Sequence, residues 1–210
     1  MKIIFLVLVI TTTTITTAFA QPLLIKYFHK LPTSDRQGFS IVKKGSTYSA
    51  YSSTGTCRLQ LMETNGYLEI VDSGTGGGTL HYQLALFKNN KGYTIAVNYY
   101  TQGDVNENGT IHFYDGNNMN NITSKVVPSI TALVQKTQAN ITANEMAEFT
   151  GDKPYYYFTL PIKGTTVIFN YGTNLLDIEC NTGNQKACTI KKQLQPALLN
   201  WHYNTSTLTL

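Results

Sequence analysis

The sequence predicts a mainly β member of the α+β class: one domain built on an antiparallel meander of hairpins and carrying two or three short helices. Three observations lead there. The chain holds 14 Tyr and 9 Phe while only 13% of its residues are charged, and aromatic and β-branched side chains pack well on pleated, half-buried surfaces. Runs of alternating apolar and polar residues recur, separated by Gly and Asn turns. A few stretches instead repeat with helical spacing. The low charge excludes a charge-driven disordered tail and a coiled coil.

Met1 to Ala20 reads as a secretory leader: Lys2, the apolar run Ile3 to Ile10, then small and polar residues ending Ala18-Phe19-Ala20. The apolar run is shorter than the roughly 20 residues that cross a bilayer, so cleavage after Ala20 rather than anchoring is expected. The remaining 190 of the 210 residues can bury a core without depending on disulfides. No later segment is apolar and long enough to span a membrane.

Residues 21–56 are expected to be an N-terminal helix followed by a polar connection. Leu23, Leu24, Tyr27, Phe28 and Leu31 recur at helical spacing, and Pro32 ends the run. From Thr33 to Thr56 the residues are mostly Ser, Thr, Gly and Lys, with Ile41-Val42 the apolar pair.

Residues 57–210 are expected to form the β-rich domain. Arg58 to Met62 and Tyr67 to Val71 alternate about Asn65-Gly66, a strong hairpin signal. Beyond the glycine cluster Gly74 to Gly78, Leu80, Tyr82, Leu84 and Leu86 share one strand face. Asn89 to Gly92 turn the chain, and Tyr93, Ile95, Val97 and Tyr99 share a face of the next strand; Thr110 to Asp115 add a third. Ile130, Leu133 and Val134 suggest a helix after Pro128, and Thr142-Ala143-Asn144-Glu145 has the form of a capping box. Strands are expected again over Tyr155 to Leu160, Thr165 to Tyr171, Leu198 to Tyr203 and Thr207 to Leu210.

Phe28-His29-Lys30-Leu31-Pro32, Asn65 to Ile70, Leu84-Ala85-Leu86-Phe87, Ile95-Ala96-Val97-Asn98 and His112-Phe113-Tyr114 before Val127-Pro128 together resemble a group of small exported β-rich proteins of Bacteroidetes that have no assigned function. The likeness runs from Tyr27 to Pro128. It is one of strands and turns, so it implies the organisation above and no site.

Among chemical motifs, Asp104-x-Asn106-x-Asn108-Gly109, with Asp115 at the twelfth position, follows the form of a calcium loop. Ile111 to Tyr114 alternate like a strand, however, and six extended steps carry Asp115 about 20 Å from the loop. The expectation is therefore a hairpin loop with no cofactor, calcium being the ion the motif would hold. The glycine cluster lacks the last glycine of a dinucleotide fingerprint and the Gly-Lys-Ser/Thr of a phosphate loop. There is no G-x-S-x-G. Cys57 has His81, His112 and His202 as conceivable partners for nucleophilic chemistry, while Cys180 and Cys188 are the natural disulfide pair in an oxidising compartment.

Formal charge is +4, or +3 without Lys2, and the basic residues are scattered, which argues against nucleic acid as a partner. Tyr99-Tyr100, Tyr155-Tyr156-Tyr157 and Trp201-His202-Tyr203 put rings on both faces of their strands, so some are expected to point outward and stack on sugars or anchor a protein. Tyr99, Tyr100, Tyr156, Trp201 and Tyr203 are the candidate ligand-binding residues. The functional expectation is an exported or periplasmic non-enzymatic binding module for a glycan or another exported protein. A secreted hydrolase with an acidic pair, represented by Asp104 and Asp115, is the alternative.

Overall fold

The structure is a computed structural model that describes residues 21–74, 78–102, 109–137, 141, 142, 145, 148 and 156–210. The leader, the centre of the glycine cluster and Asp104, Asn106 and Asn108 of the calcium-type loop lie outside the described residues. Helix α1 (Leu23–Lys30) comes first, then a 3-10 turn (Thr33–Arg36). Seven strands follow: β1 (Ser40–Lys44), β2 (Thr47–Ser52), β3 (Gly55–Met62), β4 (Tyr67–Asp72), β5 (Thr79–Asn89), β6 (Gly92–Gln102) and β7 (Gly109–Asp115). They lie in sequence order as one antiparallel sheet, the expected meander with two strands more.

Those two strands are β1 and β2, in the segment read from sequence as a polar connection. Their burial explains the difference: only Ile41 in β1 and Ala50 in β2 are fully covered, so neither strand shows an alternating apolar face. The hairpin at Asn65-Gly66 is as expected, with Met62 opposite Tyr67. Gly66 takes a left-handed φ of 65°, which glycine adopts without strain.

One face of the seven-stranded sheet carries α1. Ile41, Ala50, Cys57, Leu68, Ile70, Tyr82, Leu84, Ile95, Val97 and Tyr114, drawn from all seven strands, join a single cluster with Leu24, Ile25 and Phe28. The helix is about 12 Å long against the roughly 29 Å that seven strands span, and β5 is the strand it packs against most closely. Each fully buried apolar side chain of α1 contributes roughly 1.5–3 kcal/mol to holding it there.

The other face carries a second sheet. After α2 (Thr123–Val126) and α3 (Ile130–Thr137), strands β8 (Tyr156–Thr159), β9 (Thr166–Tyr171), β10 (Ala197–His202) and β11 (Thr207–Thr209) form it in the order β11-β10-β9-β8. Ala85, Ala96 and Phe113 of the first sheet pack against Phe158, Phe169, Leu199 and Trp201 of the second, with Val126 and Leu133 from the helices. Between β9 and β10 the chain adds α4 (Asn174–Asn181) and α5 (Gln185–Gln193), a stretch in which the sequence pattern announces no helix. Their apolar contribution is small: Leu176, Ala187 and Ile190 meet Tyr171 and Ile141. Asn184 caps α5, its side chain accepting from the N–H groups of Lys186 and Ala187. The expected disulfide between Cys180 and Cys188 joins the two helices. The expected capping box is present as well: Thr142 N–H donates to Glu145 Oε2 (2.8 Å), and Glu145 N–H to Thr142 Oγ1 (3.2 Å).

Candidate functional site

Strand β7 closes one edge of the seven-stranded sheet. Its even-numbered residues bond to β6, so the N–H and C=O groups of the odd-numbered ones face outward. The returning chain satisfies those near the end: Phe113 N–H donates to Thr123 Oγ1 (2.8 Å), Ile122 N–H to Phe113 O (2.8 Å), and Asp115 N–H to Asn120 O (3.0 Å). Beyond Phe113 the loop swings away toward α3 and leaves a cleft of about 710 Å³ between β7, the stretch from Asn121 to Ile130, and β8.

Ile111, Val127, Pro128, Ile130, Tyr156 and Phe158 give the cleft its apolar wall. Thr110, His112, Asn121, Thr123, Ser124 and Ser129 supply hydroxyl, amide and imidazole groups. Among the described lining residues none is Asp, Glu, Lys or Arg. A volume in this range with a mixed lining is typical of small-molecule sites.

His112 connects the cleft to the interior. Its Nδ1 lies 3.3 Å from Oδ2 of Asp35, out of line for a hydrogen bond. Asp35 comes from the 3-10 turn, which Asp35 N–H to Pro32 O (3.0 Å) and Phe39 N–H to Arg36 O (2.8 Å) fix in place, with Phe39 sunk into the cluster around α1. Nearby, Tyr82 is fully buried, and burial first and the Asp35 charge second push its phenol far above the usual range.

The cleft's β8 wall is pinned by a second polar group. Gln83 and Asn98 sit opposite each other on β5 and β6, and both are almost completely buried. Gln83 Oε1 accepts from Asn98 Nδ2 (2.9 Å) and from Leu160 N–H (3.0 Å), and Asn98 Nδ2 also donates to Phe158 O (2.8 Å). Gln83 Nε2 reaches Glu69 Oε1 (3.3 Å), which His81 Nδ1 approaches to 3.1 Å. The His81 hydrogen bond, followed by Gln83, holds the Glu69 carboxyl below its ordinary pKa against the opposing effect of burial.

The aromatic candidates divide. Tyr156 lines the cleft. Tyr99 is half-buried against the α1 cluster, and Tyr203 is 46% exposed in the turn after β10. Tyr100 and Trp201 are corrections to the expectation of outward rings, for both are buried. Tyr100 lies between His81 and Tyr157 with ring centroids 4.8 and 4.9 Å away. Trp201 packs 5.2 Å from Phe87 and donates Nε1–H to Lys88 O (2.9 Å). Alternation along β6 and β10 assigned each ring a face, but the opposing sheet that covers that face is invisible in any single strand.

Cys57 assembles no nucleophile with His81. The register puts Arg58 across from Val71 and Val71 across from His81, so His81 shares the face of Arg58 and Cys57 points the other way, toward α1. His202 meets Thr209 Oγ1 on the surface. Asp115 uses Oδ1 to accept from Asn117 N–H (2.8 Å) at the end of β7. Among the described residues no group of three or more His, Cys, Asp or Glu comes together to hold a metal ion.

No family model matches the chain, and no curated protein does. Among solved structures it is similar to a domain of an uncharacterized protein from Porphyromonas gingivalis W83, at 14% sequence identity and a TM-score of 0.52. The match covers 82% of this chain and 80% of that one. The two share a fold, and the neighbour comes from the Bacteroidetes, the group the sequence resembles. Among the described residues no helix is long and apolar enough to cross a membrane.

Proposed function

We propose that the protein is an exported, non-enzymatic binding module that seats a neutral saccharide in the cleft beside β7. The uncharged, mixed lining of that cleft carries the reading. Sugar rings present C–H faces to partly exposed apolar and aromatic walls such as Tyr156 and Pro128, and hydroxyls to groups such as those of Ser124, Ser129 and Asn121. A charged ligand would leave its charge without a lining partner. Export rests on the leader sequence, the likeness to exported Bacteroidetes proteins and the Cys180–Cys188 bridge, since disulfides persist in oxidising compartments. No cofactor is part of the reading.

The test is an array of neutral and charged glycans probed with residues 21–210, with and without a calcium chelator. Retention of neutral glycans, indifferent to the chelator and abolished by Ser124→Trp at unchanged melting temperature, is the expected result. Ser124 is exposed, so the bulky ring fills the cleft without entering the core. Binding untouched by Ser124→Trp, or confined to charged glycans or peptides, would overturn the proposal. Loss of binding with the chelator would instead direct attention to the loop around Asp104, Asn106 and Asn108.

A further inference from the structure

We propose that Asp35 fixes the proton of neutral His112 on Nδ1, so that Nε2 offers a lone pair to the cleft and the site selects its ligand by a hydroxyl that donates there. The inference rests on the saccharide reading of the cleft and names its specificity-determining pair.

The Nδ1 atom is sealed from solvent and stands 3.3 Å from a carboxylate whose own side chain is only 9% exposed. A lone pair on Nδ1 would set two acceptors face to face with no water between them. A proton there turns that repulsion into attraction even though the pair is out of line for a hydrogen bond, and the charge facing one ring nitrogen decides the state of the other. The remaining Asp35 oxygen is occupied by Ser34 Oγ at 3.4 Å. The 29% of the His112 side chain that stays open belongs to the rest of the ring, which lines the cleft.

Polarity at Nε2 is thereby set in advance, unlike that of the other lining groups. The hydroxyls of Thr110, Ser124 and Ser129 rotate to donate or accept as a ligand requires. Nε2 of a Nδ1-protonated imidazole only accepts. A ligand offering a fluorine or an ether oxygen at that point meets acceptor with acceptor, whereas a hydroxyl donates.

Two measurements test this. The first needs no ligand: two-bond proton–nitrogen spectra of histidine-labelled protein, at a pH where the imidazoles are neutral, with His112 assigned by its loss in His112→Gln. His112 is expected as the Nδ1–H tautomer, moving to Nε2–H in Asp35→Asn, whose amide donates toward Nδ1. An Nε2–H tautomer in the wild-type protein would overturn the proposal even if Asp35→Asn does not fold. The second titrates the methyl glycosides of glucose, galactose and mannose, and their singly deoxyfluorinated analogues, into the wild-type protein and Asp35→Asn. One fluorination is expected to weaken binding about tenfold or more in the wild type and no more than about twofold in Asp35→Asn. Equal tolerance of every fluorination overturns the selection by Nε2. If no glycoside binds, the saccharide reading falls together with the donor-hydroxyl selection, while the tautomer spectrum still decides whether Asp35 acts on His112.

Discussion

Replacing Gln83 with Leu tests whether the buried amides hold the second sheet, and with it the cleft wall, in place. Gln83 is 2% exposed and serves three partners: Asn98, the Leu160 N–H and Glu69. Leucine matches its bulk and bonds none of them. Asn98 keeps Phe158 O, and Glu69 keeps His81, so those two are only weakened. The Leu160 N–H, in a residue 1% exposed, is left unsatisfied. Such an orphan costs about 1–3 kcal/mol, and the lost bond to a charged carboxylate about 1.5–3 more before relaxation. A net loss of about 3–5 kcal/mol is expected, a large share of the roughly 5–15 kcal/mol typical of a folded domain. Urea denaturation of residues 21–210 would read it directly. The same variant should weaken any ligand of the cleft, because Phe158 and Tyr156 move with β8. A loss below about 1 kcal/mol, with cleft binding unchanged, would refute the claim that this amide couples the sheets.

Further outcomes follow from other contacts. Glu69 has a lowered pKa in the folded chain. Its contribution is therefore present above the ordinary glutamate value of about 4.3 and lost as pH falls through the folded value. Stability measured from pH 6 downward should drop less steeply in Glu69→Gln than in the wild type. Gly109→Ala should cost about 1–3 kcal/mol, since a Cβ there would stand 2.7 Å from Tyr157 Cβ and 2.9 Å from its Cα; a wild-type melting temperature would contradict that close approach of β7 and β8.

Legibility in the sequence followed how each element is buried. Strands β4 to β7 announced themselves because alternate residues such as Leu68 and Ile70, or Ile95 and Val97, enter a core. The capping box at Thr142 and the disulfide were legible because their chemistry is local. Strands β1 and β2 were not, since each buries a single side chain. Nor were α4 and α5, which have few apolar residues and are joined by Thr182-Gly183-Asn184. Of the cleft, Tyr156 was anticipated as a strand aromatic. Asp35 and His112 were not paired, because their meeting depends on the turn after α1 folding across the far edge of the sheet, and no local pattern encodes that. Trp201 was misplaced for the same reason, its face being decided by a sheet formed elsewhere in the chain.

The strand order of the first sheet bears on how the chain reaches this state. Every strand from β1 to β7 pairs with its neighbour in sequence, so each ladder closes a short loop and can zip from the preceding hairpin with little entropic delay. Helix α1 is the exception: it comes first, yet its apolar face is covered only once strands such as β5 have formed against it. Leu24, Ile25 and Phe28 thus wait exposed through most of the assembly. Docking of this first segment therefore needs strands that come later in the chain. Substitutions within the β5–β6 hairpin should slow folding in proportion to their cost in stability, whereas those at Phe28 should mainly speed unfolding, which chevron measurements on both sets would read.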